Sequence, residues 1–305
     1  VLEDGVLFRT ASDEFLLTAA EPNLGYLRRL ARPFDAEIVE ATEDFASLAV
    51  QGPRSRDILA RLTPDVLDLP YFGFTETKVA QTQVLCSRTG FSGDLGFELF
   101  IPAGDALGVL DAVIETGTPS GLRPYGEEAL NMTRIEAGLP LFGYEFTSSR
   151  YAFTQEERFT PDELGLGWTL RGVEDPTRPF IGREAILAER ARSQHRWRTV
   201  GITLQWRDYY RLHEETGLLA VPDEVPVPWD VMVYDGSGSR IGYATSFMYS
   251  PVLQRHIGIA RVRPEHAEAG TEVFVEQTVN HEYVNVRSLV TTLPFYNPPR
   301  KVSAR

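Results

Sequence analysis

The side chains best placed to do chemistry lie in the stretch RTGFSGDLGFELFIP, residues 88–102. Its glycines, Gly90, Gly93 and Gly96, are spaced three apart and precede an apolar strand. A dinucleotide-binding loop needs G-x-G-x-x-G between a strand and a helix, and a Walker phosphate loop needs Gly-Lys-Ser/Thr. Neither pattern is present. We therefore predict a hairpin in which the glycines supply positive φ angles.

Glu98 is the one acidic residue within the apolar strand that follows this turn. Strand alternation places Phe97 and Leu99 on one face, and Gly96, Glu98 and Phe100 on the other. A carboxylate that shares a face with phenylalanine lies either in solvent at a sheet edge or in a pocket with a partner. The pattern alone favours solvent.

A second candidate is Arg134, in the predicted helix at LNMTRIEAGLPL. Helical spacing places it on one stripe with Asn131 and Gly138, while Glu136 is not its neighbour on the helix surface. Three roles stay open for the guanidinium. It could extend along the apolar surface to water, bind a carboxylate ligand, or pair with Glu98.

Metal and nucleophile patterns are weak in this sequence. The histidines form no HxxxH, HExxH or Cys–His spacing, and no GxSxG elbow is present, so we predict no metal site. Cys86 lies within an apolar strand and is predicted to be a small buried hydrophobe. Trp206, Tyr209 and Tyr210 either line a site or belong to a surface or interdomain contact. The scattered histidines are His195, His213, His256, His266 and His281.

Composition narrows the class of protein. The 305 residues are 43% hydrophobic, carry a net charge of −13 and include one cysteine. The acidic balance argues against nucleic acid and anionic membranes as main partners. No apolar run approaches the roughly 18 residues of a membrane span, and the lone cysteine fits a reducing compartment. We therefore expect a cytoplasmic protein.

The elements that position these residues are predicted to be of the α+β class. Residues 1–195 form one mixed region, and after Thr199 helix signals nearly vanish, so residues 196–305 are predicted to form a β-barrel or sandwich. Predicted strands of the first region are Val6–Phe8, Glu14–Thr18, Ala36–Ala41, Ser47–Gln51, Thr75–Ser87 and Leu95–Ile101. Predicted helices are Pro22–Ala31, Pro53–Leu62, Ala103–Thr116, Tyr125–Ala137 and Arg183–Arg192. The later strands are Val200–Leu204, Val231–Tyr234, Arg240–Ala244, His256–Val262, Val273–Val275 and Asn285–Leu293.

Six sequence pieces, taken in order, resemble the glycine-cleavage T-protein (aminomethyltransferase) family. They cover nearly the whole chain, and their shared order is much more specific than any single piece. The pieces are LAVQGPRSRDIL, RTGFSGDLGFEL, TRIEAGLPLFGYEF, ELGLGWTL, RPFIGREAI and GYATSFMYSPVLQRHIGIARV. The start, EDGVLFR, resembles a strand inside the family's pattern, so we expect the family's opening segment to be missing.

The resemblance implies a three-lobed α+β fold with two interleaved N-terminal lobes and a C-terminal β-barrel. It also implies tetrahydrofolate as cofactor, bound in a central channel. Position by position, Asp4 falls near the reactive folate nitrogens, Phe8 on an aromatic that lines the folate, and Glu98 on the carboxylate that recognises the pterin. Arg134 falls in the same pocket, and Phe91 replaces a tyrosine of the pocket's motif.

The chemistry of these residue types agrees with that assignment. A carboxylate can accept the two adjacent N–H groups of a pterin edge in one plane. Asp4, beside the nitrogen that carries the one-carbon unit, could hold a proton or stabilise positive charge, and is the predicted catalytic residue. Folate's anionic tail would need arginines, for which Arg88, Arg123 and Arg150 are candidates.

Several departures from the T-protein pattern bear on the reaction. Phe91 lacks the family's hydroxyl, Asp94 stands for the usual glutamate, and Glu3 stands for an aspartate. The segment at residues 206–234 and the closing LPFYNPPRK look more like tetrahydrofolate-dependent demethylases. We therefore expect a one-carbon transferase that moves a methyl group from a small O-, S- or N-methyl substrate to tetrahydrofolate.

Two other functions are weighed beside demethylation. The first is glycine-cleavage aminomethyl transfer, which would need a lipoyl carrier protein as partner. The second is the non-catalytic folate-binding role in iron–sulfur maturation. That branch carries a K-G-C-x-x-G-Q-E signature, and the corresponding FTSSRYAFTQEERF has no cysteine, which argues against it.

Overall fold

The computed structural model describes residues 1–192 and 195–303, and it has twelve strands and six α-helices in that part of the chain. The contacts divide these elements into two compact units. The strands are β1 (Leu7–Arg9), β2 (Phe15–Leu17), β3 (Phe45–Gln51), β4 (Phe74–Val79), β5 (Thr82–Ser87), β6 (Gly96–Pro102), β7 (Arg198–Leu204), β8 (Val231–Tyr234), β9 (Arg240–Ser250), β10 (Arg255–Val262), β11 (Glu272–Val279) and β12 (Glu282–Thr291). The helices are α1 (Leu24–Ala31), α2 (Ser55–Leu59), α3 (Ala106–Gly117), α4 (Glu127–Glu136), α5 (Arg183–Arg192) and α6 (Trp206–Glu215).

The first unit comprises residues 3–130 and the segment that starts at Asn297. Its main sheet is antiparallel, in the order β3-β6-β5-β4. Phe97 and Leu99 of β6 are fully buried in a core with α3 residues such as Val109 and Val113. Glu98 and Phe100 lie on the opposite face, because successive side chains of a strand alternate. The predicted division of this strand into two faces is confirmed.

A short hairpin, β1–β2, accompanies this sheet. Leu7 pairs with Leu17, and Phe8 pairs with Leu16. Phe8 is 2% exposed whereas Leu7 is 61% exposed, so only the Phe8 face of the hairpin is packed.

The second unit comprises Val1–Leu2 and Asn131–Tyr296. Six antiparallel strands close into a barrel in the order β10-β7-β12-β11-β8-β9. Small and β-branched side chains fill the interior, as small barrels require. Ile202, Val233 and Val275 are each 0% exposed. The predicted C-terminal β-barrel is confirmed, and each of its six strands overlaps one of the six that the sequence predicts.

Two of the predicted elements were wrong, and one helix was missed. Residues 206–215 form helix α6 where helices were expected to vanish, since Trp206, Tyr209 and His213 recur at helical spacing. Thr75–Ser87 is not one strand but the hairpin β4–β5, because Ala80 and Gln81 adopt φ of 49° and 71° in its two-residue turn. Ala36–Ala41 is not a strand.

The segment at residues 36–41 pairs with no strand among the described residues, although its composition favours β structure. The Ile38 carbonyl instead accepts a hydrogen bond from Arg28 Nε at 2.9 Å. A strand without a partner leaves its backbone N–H and C=O groups without hydrogen bonds. Here the Arg28 side chain satisfies one of these groups, the Ile38 carbonyl.

The compact units divide between Leu130 and Asn131, within α4, and again between Tyr296 and Asn297. The boundary between residues 195 and 196 therefore stays a prediction. In the described ranges, no helix combines the length and apolar character needed to cross a membrane.

Candidate functional site

Glu98 lies at the centre of the four-stranded sheet. Its Cα partners are Ala49 of β3 and Ser87 of β5. The Thr89 hydroxyl donates a short hydrogen bond to Glu98 Oε2, and Thr89 Oγ1 is itself 2.6 Å from Ser87 Oγ. Glu98 Oε1 accepts no hydrogen bond from any residue within 1–192 or 195–303. The carboxylate is thus held by one oxygen and open at the other, so it is available to a ligand with paired N–H donors.

An aromatic cluster lies on the same face of the sheet. Phe8 packs edge-to-face against Phe100, with ring centroids 5.4 Å apart, and against Phe74 at 5.3 Å. Phe100 follows Glu98 by two residues on β6, so its ring is on the carboxylate's side of the sheet. The predicted pair of a carboxylate and a folate-lining aromatic is therefore brought to one face. This arrangement supplies an apolar wall beside an acceptor.

Tyr125 is an additional member of the Glu98 environment. Burial raises the pKa of the Tyr125 phenol, and the Glu98 carboxylate raises it further. The repulsion between two anions has this effect only when the groups are close. Sequence reasoning missed Tyr125, since it precedes α4 and no pattern links it to the strand.

The glycine turn of residues 88–96 is built around the side chain of Gln51. Gln51 Nε2 donates to the carbonyls of Thr89 and Phe97 at 3.3 and 3.2 Å. A Cβ atom added at Gly90 or Gly96 would lie 2.2 or 2.0 Å from Gln51 Oε1. Gly90 and Gly96 are therefore explained by the close approach of the Gln51 side chain. The expected positive φ occurs only at the glycine between them, Gly93, where φ is 73°.

Phe91 and Asp94 occupy the same turn with different surroundings. Phe91 is half-buried, and its assignment to the cofactor pocket stays a prediction. Asp94 forms an ion pair with Arg300, with Oδ2 to Nη2 at 2.5 Å. Asp94, which stands where the family has glutamate, thus keeps a carboxylate at this position, and that carboxylate pairs with Arg300.

Asp4 lies in the segment that leads into β1. Burial raises the pKa of the Asp4 carboxyl, and the neighbouring Glu3 carboxylate raises it further. Glu3 itself accepts hydrogen bonds from Ala20 N at 3.0 Å and Asn23 Nδ2 at 2.5 Å. The residue that departs from the family's aspartate therefore anchors the chain after β2. Asp4 is left as a partly buried carboxyl with a raised pKa.

Arg134 belongs to the second unit, where it forms a buried network. Its Nη1 donates to Glu145 Oε2 at 2.6 Å, its Nε to Asn131 Oδ1 at 2.8 Å and its Nη2 to Ser246 Oγ at 2.7 Å. Thr245 Oγ1 donates to the other oxygen of Glu145 at 3.1 Å. The structure shows none of the three roles left open by the sequence: the Arg134 side chain is 0% exposed and therefore does not reach water, and its carboxylate partner is Glu145 rather than Glu98. Whether Arg134 also contributes to the cofactor pocket stays a prediction.

Arg88, one of the candidate arginines for binding the anionic folate tail, is buried and bonded to main-chain carbonyls. It is 1% exposed, and its guanidinium donates to the main-chain carbonyls of Leu69, Lys301 and Ser303 at 3.1, 2.9 and 2.7 Å. Burial lowers its pKa. These contacts hold the C-terminal segment of the first unit in place. The Arg88 guanidinium therefore does not serve as a binding group for the folate tail.

Cys86 and the histidines are separate from these groups. Cys86 is fully buried, and burial raises the pKa of its thiol to about 12, which supports the prediction of an inert hydrophobe. His256 is enclosed by aromatic rings, including Trp206 and Phe247. In the described part of the chain, no three His, Cys, Asp or Glu side chains converge as metal ligands do.

Comparison with protein families agrees with this architecture. A family model described as the GCVT N-terminal domain matches residues 1–172. A second, the glycine cleavage T-protein C-terminal barrel domain, matches residues 216–297. The chain belongs to the glycine-cleavage T-protein family. The predicted recognition is confirmed, and the barrel model corresponds to the closed barrel of the second unit.

Proteins similar in sequence to this chain carry different names. An aminomethyltransferase of Streptomyces coelicolor is 34% identical over 97% of this chain and 73% of its own length. A trimethylamine-oxide aldolase of Ruegeria pomeroyi is 33% identical over 98% of the chain, which spans 36% of the aldolase. The gamma subunit of a heme-dependent oxidative N-demethylase of Ectopseudomonas mendocina is 31% identical over 98% of the chain and 72% of its own length.

The fold is shared with a solved T-protein. The glycine cleavage system aminomethyltransferase T of Bartonella henselae superimposes with a TM-score of 0.78 at 24% identity, over 97% of this chain and 73% of that one. The predicted α+β T-protein fold is confirmed.

Proposed function

We propose that this T-protein family member is a tetrahydrofolate-dependent one-carbon transferase. The observation that carries the proposal is Glu98, which is fixed at Oε2 by Thr89 and open at Oε1. Each carboxylate oxygen has two acceptor sites, so the hydrogen bond from Thr89 leaves room for two ligand N–H groups. Phe100, which is half-buried, would provide the apolar contact for a ring held by that carboxylate, and Phe8 would support it from the packed side of the aromatic cluster.

Tetrahydrofolate, when bound, supplies the nitrogen that takes up the one-carbon unit. Asp4 is proposed to hold the proton exchanged at that nitrogen or to stabilise positive charge beside it. Its raised pKa brings the carboxyl closer to neutral pH, where general acid–base groups are most effective. Phe91 is proposed to complete the apolar lining.

Arg134 is proposed as a cofactor-binding residue on the resemblance to the T-protein pattern alone, because its own contacts lie within the second unit. Its bonds to Asn131, Glu145 and Ser246 hold the guanidinium in one orientation. A fork with donors at fixed positions recognises a carbonyl or carboxylate group with little loss of side-chain freedom.

We propose demethylation of a small N-methyl compound as the reaction. Support comes from the names of two relatives, an N-oxide aldolase and an oxidative N-demethylase subunit, at 33% and 31% identity. Aminomethyl transfer from a lipoyl carrier protein is the second candidate. It is supported to the same degree, by the Streptomyces coelicolor aminomethyltransferase at 34% identity.

The two candidates are separated by the donor and the folate product. The protein would be incubated with tetrahydrofolate and a panel of N-, O- and S-methylated compounds, and folates would be analysed by mass spectrometry. Methyl-tetrahydrofolate formed from a methylated donor supports demethylation. Methylene-tetrahydrofolate formed only with an aminomethyl-loaded lipoyl carrier would replace it with the second candidate. No folate product with either donor would contradict both.

A further inference from the structure

Strand β3 is an open edge of the four-stranded sheet. It pairs with β6 on one side, and no strand among residues 1–192 and 195–303 pairs with its other side. Its sequence, FASLAVQ, contains no charged residue and no proline. Edge strands that must stay unpaired are usually protected by lysine, proline or a bulge. β3 has none of these, so it is suited to pair with another strand.

The direction of the β3 backbone groups follows from the sheet register. The Gly52 N–H donates to the Leu95 carbonyl at 2.7 Å, and in antiparallel pairs such bonds recur at every second residue. Leu48 and Val50 therefore bond to β6. The N–H and C=O groups of Ala49 and Gln51 point away from β6, toward the open edge.

A cavity of about 550 Å³ adjoins this edge. Residues 48–51 of β3 form one side, residues 120–125 line another, and the apolar side chains of Leu110, Val113 and Ile114 from α3 contribute to it. A volume in this range suits a bound ligand, and its mostly apolar lining excludes a site for small ions alone.

The charges at the cavity are of one sign. Among the described lining residues, the charged ones are Arg54 and Arg123. Each donates one hydrogen bond to a carbonyl, of Ser120 at 2.8 Å and of Leu122 at 3.2 Å, and retains further N–H donors. A cationic rim on a chain of net charge −13 favours an anionic occupant.

We propose that β3 and this cavity bind an extended acidic peptide segment of a partner protein, which adds a fifth strand to the sheet. Backbone groups of Ala49 and Gln51 would pair with the peptide main chain. The apolar lining would take alternate apolar side chains, and Arg54 and Arg123 would face acidic ones. A second copy of this chain fits less well, because its β3 carries no acidic residue and adjoins its own cavity wall.

The binding test uses a fluorescent, end-blocked peptide of alternating valine and glutamate, with a valine–lysine peptide as the control probe. Fluorescence anisotropy with the full chain should show saturable binding of the glutamate probe and at least tenfold weaker binding of the lysine probe. Equal binding of both probes, or no saturable binding of the glutamate probe, would overturn the proposal. The assay contains no folate, so its outcome is independent of the proposed function.

Matched proline substitutions test the edge itself. Ala49→Pro removes an N–H that points to the open edge, while Glu76→Pro removes the equivalent group from β4, the opposite edge. In the β4–β5 hairpin the Val79–Thr82 pair flanks the two-residue turn and is hydrogen-bonded. Bonded pairs recur at every second residue, so the Glu76 N–H points away from β5. Ala49→Pro should weaken the probe at least tenfold and Glu76→Pro should leave it unchanged, with both variants checked for cooperative unfolding. Equal effects of the two would contradict the edge assignment.

Amide exchange supplies a readout that does not depend on a variant. Saturating glutamate probe should slow hydrogen exchange at the amides of Ala49 and Gln51, with little change at Leu48 and Val50, which already bond to β6. Arg54→Glu should abolish this protection. Protection elsewhere in the chain, without a change at Ala49 and Gln51, would place the peptide at another site.

Discussion

Arg134 and Glu145 form a buried ion pair 2.6 Å long, with side chains 0% and 2% exposed. The pair joins α4 to the segment that follows it, and Ser246 of β9 donates to Glu145 Oε1 at 2.5 Å. Two of the motifs that resemble the T-protein pattern, TRIEAGLPLFGYEF and GYATSF, therefore meet at one carboxylate. These contacts satisfy a buried charge within the second unit.

Glu145→Gln should destabilise the protein substantially, because it leaves the buried guanidinium of Arg134 without a counter-charge. The expected loss is about 3–5 kcal/mol in the free energy of unfolding, measured by urea denaturation. Glu184→Gln is the matched control, since Glu184 pairs with Arg183 but its side chain is 86% exposed. It should cost less than about 1 kcal/mol. Equal losses would contradict the structural importance of the buried pair.

Gly96→Ala should disturb the turn, because the added methyl group would lie 2.0 Å from Gln51 Oε1. Gln51 is held by Thr89, Phe97 and Ser92, so it cannot swing aside without losing hydrogen bonds. The expected cost is about 1–3 kcal/mol by thermal or urea unfolding.

The control for this substitution is Gly108→Ala, within α3, where an added Cβ meets nothing within 4 Å. Alanine there should be neutral or stabilising by up to about 1 kcal/mol. If Gly96→Ala is as well tolerated as Gly108→Ala, the packing of the turn around Gln51 is not as described.

His256 should make stability depend on pH. Burial lowers the pKa of its imidazole from 6.5 to about 4, although Asp223 Oδ2 is 3.9 Å from Nε2. The unfolded chain then binds the proton more readily than the folded one. The resulting stability is present above pH 6.5 and is lost as pH falls toward 4. At about 1.4 kcal/mol per pKa unit, the loss is on the order of 3 kcal/mol.

Unfolding free energies of the wild type and His256→Phe, measured between pH 4 and 7, test this dependence. Their difference should change by that amount across the range, and most of the change should occur below pH 6.5. His281→Asn is the control, since His281 is exposed in the β11–β12 turn at φ 67°, which asparagine tolerates. A constant difference for His256→Phe would show that the imidazole is not buried in its neutral form.

Cys86 should be unreactive in the folded protein. Its thiol is buried and its pKa is raised to about 12, so almost no thiolate is present at neutral pH. A disulfide reagent such as DTNB should label less than a tenth of the protein under native conditions and one thiol per chain in guanidinium. Rapid stoichiometric labelling of the native protein would contradict the burial of β5.

Local patterns predicted much of this fold. Alternation along β6 correctly separated Phe97 and Leu99 from Glu98 and Phe100, because one face of a sheet strand must enter the core. The six barrel strands were predicted from short β-type runs separated by turn residues. Helix α6 was missed because its aromatic residues were interpreted as lining a site or a contact surface, although their spacing is helical.

The groups that organise the candidate site could not be predicted from local patterns. Gln51 reaches Phe97 across 46 residues, and Ser246 reaches Glu145 across 101. Such partners are fixed by the tertiary fold rather than by neighbours in sequence. Gln51 and Ser246 both lie in sequence pieces that resemble the family, but the resemblance assigned neither residue a role.

Titration of tetrahydrofolate by calorimetry into the wild type, Glu98→Gln and Glu76→Gln tests the central claim most directly. Glu76 is an exposed carboxylate of the same sheet, so its variant controls for the loss of one charge. Glutamine at residue 98 replaces one acceptor oxygen by an N–H₂ group that cannot accept the ligand's donors. Glu98→Gln should therefore bind about 10- to 100-fold more weakly, as expected for charge-assisted hydrogen bonds, while Glu76→Gln binds like the wild type. Equal affinity of Glu98→Gln and the wild type would contradict the assignment of Glu98 as the folate-recognising carboxylate.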